Sequence, residues 1–388
     1  MYKLGRKKTR IAVLAVVVAV AVAAVLAASE SLLGSNSEPA SASWRRLPRA
    51  PLVFEAGKTN VWTGKEMIVS GLTGAGADGN LLDATEAALA YDPAERAWRR
   101  LADPPKTDTY CRRHAVWTGT EMLVWGCSLV AYDPAADAWR RLPQPLSGAG
   151  IVVWTGRELL GWGGGCCGDA VARGEAYDPN TQTWRSVAES PLAPEQQPLG
   201  AWTGHELVLF VSGISAADGG ALPAGLARAA AYDPATDTWR RIAPMPERRA
   251  GAVAIWDGRE ILVVGGRAGT GAPTGVGFGY NPATNGWRRL PAMETGRTQP
   301  VVAWTGRRVL VWGGDLGREA LAVSRRGSAF DPVSDRWAPL PDAPIEGRFD
   351  PVAAWTGREL IVSGGIGAGH GRNPAHLTDG AAFTPDSP

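Results

Sequence analysis

The sequence lacks an excess of basic residues outside its first ten positions. Five of the 40 basic residues cluster there, at Lys3, Arg6, Lys7, Lys8 and Arg10. Residues 11–388 then carry 35 basic and 38 acidic groups, which gives this part of the chain a net charge of −3. Domains that bind nucleic acid usually show a clear positive balance. The charge of this chain therefore argues against nucleic acid as a partner.

The composition is also unlike that of a helical protein. Glycine and proline are frequent, with 49 and 29 of 388 residues, and 45% of the residues are hydrophobic. This combination is typical of a β protein that is rich in loops. The length allows either two average domains or one large repeat fold.

An uncharged apolar stretch of 18 residues, "IAVLAVVVAVAVAAVLAA" (11–28), directly follows the basic segment 1–10. A secretory signal has an apolar stretch of about 7 to 15 residues, whereas a membrane span needs about 17 to 25. We expect an uncleaved single-pass anchor, with a cleaved signal as the alternative because "VLAAS" offers small residues to a peptidase. The preceding positive charges predict that everything after Ala28 is extracytoplasmic in both cases. Residues 29–42 are small and polar, which is typical of a linker.

Two short motifs recur along the chain. The first is a tryptophan followed by a turn residue and glycine, and its spacings are 55, 37, 48, 54, 48 and 51 residues. Its tryptophans are Trp62, Trp117, Trp154, Trp202, Trp256, Trp304 and Trp355. The second is an aromatic residue, any residue and proline, and it begins at Tyr91, Tyr132, Tyr177, Tyr232, Tyr280, Phe330 and Phe383. Seven residues after the first six aromatics come Trp98, Trp139, Trp184, Trp239, Trp287 and Trp337.

Each repeat predicts four short strands. The first strand ends at the Trp-Thr-Gly turn, the second is the apolar run after it, the third ends at Tyr-Asp-Pro, and the fourth begins at the next tryptophan. Four strands that repeat about every 50 residues are typical of a β-propeller blade.

The last repeat lacks its fourth strand, and an unmatched fourth strand lies at the other end. Phe383 would require a tryptophan at position 390, whereas Trp44 in "SWRRLP" has no Tyr-Asp-Pro before it. If the strand of Trp44 completes the last blade, seven blades close into a ring without an exposed sheet edge. We therefore predict one seven-bladed domain over residues 43–388.

These motifs resemble the Kelch repeat over residues 43–388. The resemblance rests on the glycine pairs that end the second strand, on Tyr-Asp-Pro, on the tryptophan after it and on "MPERRAGAVAIW". It implies an all-β, seven-bladed Kelch-type β-propeller closed by an N-terminal strand, similar to the central domain of galactose oxidase. Propellers of this type serve as sugar oxidases, sugar isomerases or protein-binding modules, so the resemblance specifies the fold more than the function.

Repeated residues are explained by the fold, so function is expected where the blades differ. We predict that the repeated tryptophans pack between blades. The glutamates after the Trp-Thr-Gly turns are expected to be partners for nearby arginines or backbone groups rather than catalytic acids. Seven residues before each turn tryptophan, at the expected channel rim, lie Glu55, Tyr110, Ser147, Glu195, Arg249, Arg297 and Arg348. The three arginines are candidates for binding a carboxylate or sulfate. The alternative is that they only bond loop carbonyls, because arginine here belongs to the Kelch pattern.

The second blade is the most unusual. Its first strand is preceded by "TDTYCRRHAVW", which brings Tyr110, Arg112, Arg113 and His114 together near the channel. We predict Tyr110, Arg113 and His114 as ligand-binding residues. A histidine here is a candidate base or metal ligand, but a satisfied pore-lining side chain is the favoured alternative.

A copper site like that of galactose oxidase would require two tyrosines and two histidines. Tyr110, His114, His370 and His376 are the available candidates, yet Tyr110 is the only tyrosine outside the repeats and the N-terminus. We therefore expect no cofactor. The sequence favours an extracytoplasmic, membrane-tethered module that binds a protein or a cell-surface glycan. The alternative is a carbohydrate-active enzyme, an oxidase or an isomerase.

The four cysteines are consistent with export. Cys111 lies six residues before Trp117 and Cys127 lies six residues after Glu121, so a hairpin centred on the intervening turn sets the two opposite one another. We predict a cross-strand disulfide between them. Cys166 and Cys167 are adjacent, and their pairing is left open.

Overall fold

The computed structural model describes residues 41–74, 81–107, 112–165, 169–211, 227–267, 271–317, 322–370 and 373–386. Within these residues the strands form seven four-stranded antiparallel sheets, which together make a seven-bladed β-propeller. This confirms the predicted all-β, seven-bladed propeller. Ser43–Thr384 forms one compact unit.

Helical structure within the described ranges is limited to one turn of 3₁₀ helix at Leu81–Asp83. None of the helical structure in these ranges is long and apolar enough to cross a membrane. The apolar stretch 11–28 lies outside the described residues, so the anchor and the cleaved signal both stay predictions.

The first three blades are formed by consecutive strands. Blade 1 contains β2 (Ala56–Trp62), β3 (Met67–Thr73), β4 (Thr85–Asp92) and β5 (Ala97–Arg100). Blade 2 contains β6 (His114–Trp117), β7 (Met122–Trp125), β8 (Leu129–Asp133) and β9 (Ala138–Arg141). Blade 3 contains β10 (Ile151–Trp154), β11 (Leu159–Trp162), β12 (Gly174–Asp178) and β13 (Thr183–Ser186).

The next three blades follow the same order. Blade 4 contains β14 (Leu199–Trp202), β15 (Leu207–Val211), β16 (Arg228–Asp233) and β17 (Thr238–Arg241). Blade 5 contains β18 (Ala250–Trp256), β19 (Ile261–Arg267), β20 (Phe278–Asn281) and β21 (Gly286–Arg289). Blade 6 contains β22 (Val301–Trp304), β23 (Val309–Trp312), β24 (Gly327–Asp331) and β25 (Arg336–Pro339).

Blade 7 combines both ends of the repeat region. It contains β26 (Val352–Trp355), β27 (Leu360–Ser363), β30 (Gly380–Thr384) and, as its fourth strand, β1 (Ser43–Arg46). In the β1–β30 register, Trp44 lies opposite Phe383. A separate hairpin, β28 (Ile366–His370) with β29 (Asn373–His376), is inserted between β27 and β30. The predicted closure by the strand of Trp44 is therefore confirmed.

The Trp-Thr-Gly turns are held by their threonines. In blade 3, Thr155 Oγ1 accepts the backbone N–H of Glu158 at 3.0 Å, and the Thr155 N–H donates to the Glu158 carbonyl at 3.1 Å. Gly156 between them has φ of 92°. Since side chains disfavour this conformation, glycine is the residue that the turn requires.

The hydrophobic core lies between adjacent blades. One cluster joins Ile68 and Ala88 of blade 1 with Met122 and Val130 of blade 2, and all four side chains are buried. The second and third strands supply most of these residues, because they are covered by a neighbouring blade on each face. Burial of these apolar strands therefore stabilises the ring as a whole rather than any single blade.

Each blade is also hydrogen-bonded to the one before it. The indole N–H of the fourth-strand tryptophan donates at 2.8–3.0 Å to a backbone carbonyl that follows the fourth strand of the preceding blade. The pairs are Trp98–Pro48, Trp139–Ala102, Trp184–Pro143, Trp239–Ala188, Trp287–Ala243, Trp337–Pro291 and Trp44–Pro341. The predicted inter-blade role of these tryptophans is confirmed.

The glutamates after the turns are paired with arginines, as predicted. In blade 3, Glu158 accepts from the guanidinium of Arg185, which also donates to the hydroxyl of Tyr232 in blade 4 at 3.1 Å. The equivalent pairs are Arg45–Glu359, Arg99–Glu66, Arg140–Glu121, Arg240–Glu206 and Arg288–Glu260. Blade 6 replaces both partners, with Arg308 in place of the glutamate and Ala338 in place of the arginine. The two positions have changed together, which supports a structural role for the pair.

Replacing Trp44 is expected to test the ring closure. Trp44→Ala removes the hydrogen bond to Pro341 and the ring contacts with Phe383 and Trp312, whose centroids lie 5.1 and 5.6 Å away. We expect the free energy of unfolding to fall by about 3 kcal/mol, as for other large-to-small changes at packed aromatics. Urea denaturation followed by tryptophan fluorescence measures this change.

Trp44→Phe is the matched control, because it keeps most of the ring contact and loses only the indole N–H. Its cost should be about 1 kcal/mol. Equal stability of Trp44→Ala and the unchanged protein would show that β1 is not needed to hold the ring closed.

Candidate binding site at the propeller mouth

The strand directions give the propeller two different faces. The Trp-Thr-Gly turns and the turns after Tyr-Asp-Pro lie on one face, which we call the turn face. The connections between second and third strands, and those between blades, lie on the opposite face. The first strands of neighbouring blades contact one another in a closed ring, so they surround the central channel. We call the opening of this ring on the loop-bearing face the mouth.

The three predicted rim arginines point into the protein. Arg249, Arg297 and Arg348 are all buried, with relative exposures of 3, 2 and 0%. Each donates through Nη1 to two backbone carbonyls of its own blade, and for Arg348 these are Gly364 at 2.9 Å and Asp379 at 3.0 Å. Burial lowers the pKa of all three guanidinium groups. The contacts are those of the structural alternative, and a ligand-binding role stays a prediction.

The glycine pairs and the arginines act together. Gly364 and Gly365 have φ of 64° and 95°, which turns the chain so that the Gly364 carbonyl accepts from Arg348. In blade 6, a Cβ on the second glycine, Gly314, would lie 2.7 Å from the Thr298 carbonyl oxygen of the same blade. The glycines therefore allow both a left-handed backbone and a close approach of neighbouring chain segments.

Arg113 is also directed inward. Its guanidinium donates to both oxygens of Glu86 at 2.7 and 2.8 Å, and both side chains are about 95% buried. Glu86 additionally accepts from the backbone N–H and the hydroxyl of Thr107. These residues border a small cavity of about 10 Å³, whose lining also includes Cys127 and Ser128. Arg113 thus joins the start of blade 2 to β4 of blade 1. Its predicted contact with a ligand stays a prediction.

His114 is the first residue of β6 and lies at the same end of the channel. Its Nε2 is buried and has no hydrogen-bond partner within the described residues. Burial, and then the charge of Arg112, lower its pKa to about 4, although a hydrogen bond with the backbone of Ala149 acts in the opposite direction. His114 is therefore neutral at neutral pH. Among the described residues, no group of three or more His, Cys, Asp or Glu is placed to hold a metal ion.

An ion pair that the sequence did not indicate joins blades 1 and 7 at the mouth. Lys58 Nζ lies 2.8 Å from Asp350 Oδ2, and the Lys58 side chain is 6% exposed whereas that of Asp350 is 60% exposed. Asp350 adopts φ of 51°, a left-handed conformation that is uncommon outside glycine. Such conformations often mark functional positions because the surrounding structure must support them.

The position of Asp350 recurs in every blade. Five residues before each turn tryptophan lie Gly57, Arg112, Ala149, Gln197, Gly251, Gln299 and Asp350. Gly57, Gly251, Gln299 and Asp350 share the left-handed conformation. An alignment of the repeats at this position would have shown that three blades carry an uncharged small residue whereas Arg112 and Asp350 are charged.

The charge of Asp350 acts on both Arg112 and His376. Burial lowers the pKa of Arg112, and the charge of Asp350 opposes this change. Burial and the charge of Lys58 lower the pKa of His376, whereas Glu55 and Asp350 act in the opposite direction. We call Lys58, Arg112, Asp350 and His376 the mouth cluster. Its members come from blades 7, 1 and 2 and from the β28–β29 hairpin.

The channel below the mouth is mostly apolar. Two residues before each turn tryptophan, all seven blades place a half-buried residue on the innermost strand: Asn60, Ala115, Val152, Gly200, Ala254, Val302 and Ala353. Asn60 is the polar member of this set, and its Nδ2 donates to the Ala353 carbonyl at 2.8 Å. The charged groups are thus gathered at the mouth, where they suit hydrogen bonding to a docked ligand.

Other predicted residues lie partly outside the described chain. Tyr110, Cys111, Cys166 and Cys167 are outside it, so the contact of Tyr110 with a ligand and the Cys111–Cys127 disulfide stay predictions. His370 ends β28 on the loop-bearing face, and His205 lies on the turn face as expected.

Comparison with protein families and with curated proteins gives no match to this chain. The fold therefore supplies the class: the chain is a seven-bladed β-propeller, an architecture that generally suggests a protein-binding module.

The buried His114 is expected to make stability depend on pH. Its pKa rises from about 4 in the folded chain to 6.5 in the unfolded one. Between these values the unfolded chain binds the proton more strongly, so the free energy of unfolding falls as the pH drops from 6.5 to 4. The contribution of this group is about 3 kcal/mol at most. Urea denaturation over this range should show a smaller loss for His114→Gln, and an identical pH dependence would contradict the assignment.

Arg348→Met is expected to destabilise the fold. The change keeps an unbranched side chain but leaves the Gly364 carbonyl and the Asp379 carboxylate without Arg348 as their partner. The Asp379 carbonyl then keeps only the N–H of Gly364. Removing one partner from a buried charged network costs about 3 kcal/mol or more. Arg358→Met, at an exposed turn position, is the control and should change the free energy of unfolding by less than about 0.5 kcal/mol. A fully stable Arg348→Met protein would instead favour the predicted ligand role.

Proposed function

We propose that this chain is a Kelch-type propeller that binds a protein or a cell-surface glycan at its mouth. The observation that carries the proposal is the mouth cluster, which places Lys58, Arg112, Asp350 and His376 together above a largely apolar channel. Charged groups that are partly exposed at a concave rim can orient a polar partner by hydrogen bonds.

Leu146 adds an apolar contact point to the same face. It lies in the connection between β9 and β10 and is 74% exposed, which is high for a large hydrophobic residue. The backbone N–H of Leu146 donates to Glu175 Oε2 at 3.1 Å, so the loop that carries it is attached to blade 3. An exposed apolar residue on a face that also carries charged groups is typical of a protein-binding rim.

The proposal includes an extracytoplasmic location and attachment to a membrane. It rests on the apolar stretch 11–28, the basic residues before it and the linker 29–42. The chain would then carry the propeller on the outer side of the membrane, where both cell-surface glycans and extracytoplasmic proteins are accessible.

Photo-crosslinking in intact cells tests the proposal. The full-length chain carries a photoreactive residue in place of Leu146 on the mouth face, or in place of Val333, which is 93% exposed on the turn face. We expect the chain to remain in the membrane fraction after carbonate washing and the Leu146 position to give a crosslinked partner that the Val333 position does not. Recovery of the chain in the medium would identify a cleaved signal instead of an anchor.

The combined change Lys58→Gln and Asp350→Asn should reduce this crosslink at least about fivefold, because it removes the charges and preserves side-chain size. The matched control is Lys65→Gln with Asp92→Asn, an ion pair of 3.7 Å on the turn face. Equal crosslinking with both pairs of variants would contradict a binding role for the mouth cluster. Turnover of a carbohydrate by the purified chain, abolished by His376→Gln, would favour the enzyme alternative.

A further inference from the structure

The turn face carries an open groove between blades 3 and 4. It has a volume of about 640 Å³, far larger than the cavity beside Arg113. One wall is formed by the Trp-Thr-Gly turn and the outer strands of blade 3, and the other by Trp202, His205 and Asp233 of blade 4. The size is sufficient for several sugar rings or a short peptide.

Both walls offer polar groups whose hydrogen-bonding capacity is only partly used by the fold. Asp178 Oδ1 accepts the N–H of Asn180 at 2.8 Å, and Asp233 Oδ1 accepts the N–H of Ala235 at 2.8 Å. Within the described residues, neither turn hydrogen-bonds the second oxygen of its carboxylate, and Asp178 Oδ2 forms only a long ion pair with Arg157. Arg157 is 82% exposed, and its Nε lies 4.0 Å from Asp178 Oδ2, which is too long for a hydrogen bond.

Trp202 supplies the apolar part of the groove. Its side chain is half-buried and packs against the core between blades 3 and 4, so the indole is fixed while part of it lines the groove. His205, three residues after Trp202, is exposed on the same wall, and Thr181 and Thr183 add hydroxyl groups on the opposite wall.

We propose that this groove binds a neutral oligosaccharide. Sugar hydroxyls both donate and accept, so they match the carboxylates of Asp178 and Asp233 as well as the donors of Arg157 and His205. Each wall supplies one carboxylate and one donor from this set. The indole of Trp202 offers an apolar surface for the C–H groups of a sugar ring. Charges of both signs line the groove, since Arg157 and Arg185 face Glu158, Asp178 and Asp233, so it favours neither a strongly anionic nor a strongly cationic ligand.

The groove is distinct from the mouth, because its residues lie on the opposite face of the propeller. The inference therefore does not depend on the mouth cluster, and variants of Lys58 and Asp350 should leave it unchanged. It assigns a role to His205, which the sequence placed on the turn face without a function.

The scarcity of histidine provides the measurement, because the chain contains four. The full-length protein in nanodiscs, with ¹³C-labelled histidine, is titrated with maltotetraose, cellotetraose and chitotetraose at millimolar concentrations. His205→Gln assigns the resonance of His205. We expect at least one of the three sugars to shift the His205 resonance and to leave that of the buried His114 in place.

Asp233→Asn is expected to weaken this binding about tenfold, the usual effect of losing a hydrogen bond to a charged group. The turn should survive the change, because Asn281 occupies the same position in blade 5 and its Oδ1 accepts the Ala283 N–H at 2.9 Å. The matched control is Asp133→Asn in blade 2, which lies outside the groove and should bind normally.

Three results would overturn the inference: no shift of His205 with any of the three neutral sugars, equal weakening by Asp233→Asn and Asp133→Asn, or tighter binding of a hyaluronan tetrasaccharide than of all three. The last result would show that the groove selects negative charge. Loss of sugar binding in the Lys58 and Asp350 variant would place the glycan site at the mouth and would also count against the groove.

Discussion

The hydrogen bond from a fourth-strand tryptophan to the preceding blade is the interaction on which the ring depends. It ties the outer edge of each blade to its neighbour, while the apolar second and third strands pack between blades. A four-stranded sheet with two apolar faces would not be stable alone in water. Because Trp44 and Trp98 make the bonds on both sides of blade 7, the ring has no blade without a neighbour.

The Glu–Arg pairs reinforce the same junctions, and the exception in blade 6 shows how they work. In the other junctions an arginine bonds a glutamate of its own blade and approaches the aromatic residue of the next one, as Arg185 does with Tyr232. Where Ala338 replaces the arginine, the next aromatic is Phe383, which has no hydroxyl to bond. The hydroxyl is not required for the pair, because Phe330 also lacks one and Arg288 still pairs with Glu260 and lies over the Phe330 ring. Blade 6 replaces the arginine and the glutamate together, so no glutamate carboxylate is left without its arginine.

The sequence predicted the blades because each structural role is repeated. The positions of Trp44 and Phe383 even predicted how the ring closes. The orientation of side chains at the mouth could not be predicted from the sequence, because it depends on partners in other strands. Arg348 turns inward to backbone carbonyls, and Arg113 turns inward to Glu86. Lys58 and Asp350 were missed because they occur once, lie in different blades and meet only after the ring has closed.

The closure of blade 7 also constrains the order in which the chain can fold. Trp44 lies in the first strand of the propeller, yet its partner Phe383 lies in the last, 339 residues later. During synthesis β1 must stay unpaired until β30 has emerged, whereas the strands of each other blade are close in sequence and can assemble once a neighbouring blade has been made. β1 is therefore the first strand of the propeller to be made and the last to pair. The edge of β30 stays exposed until β1 binds to it.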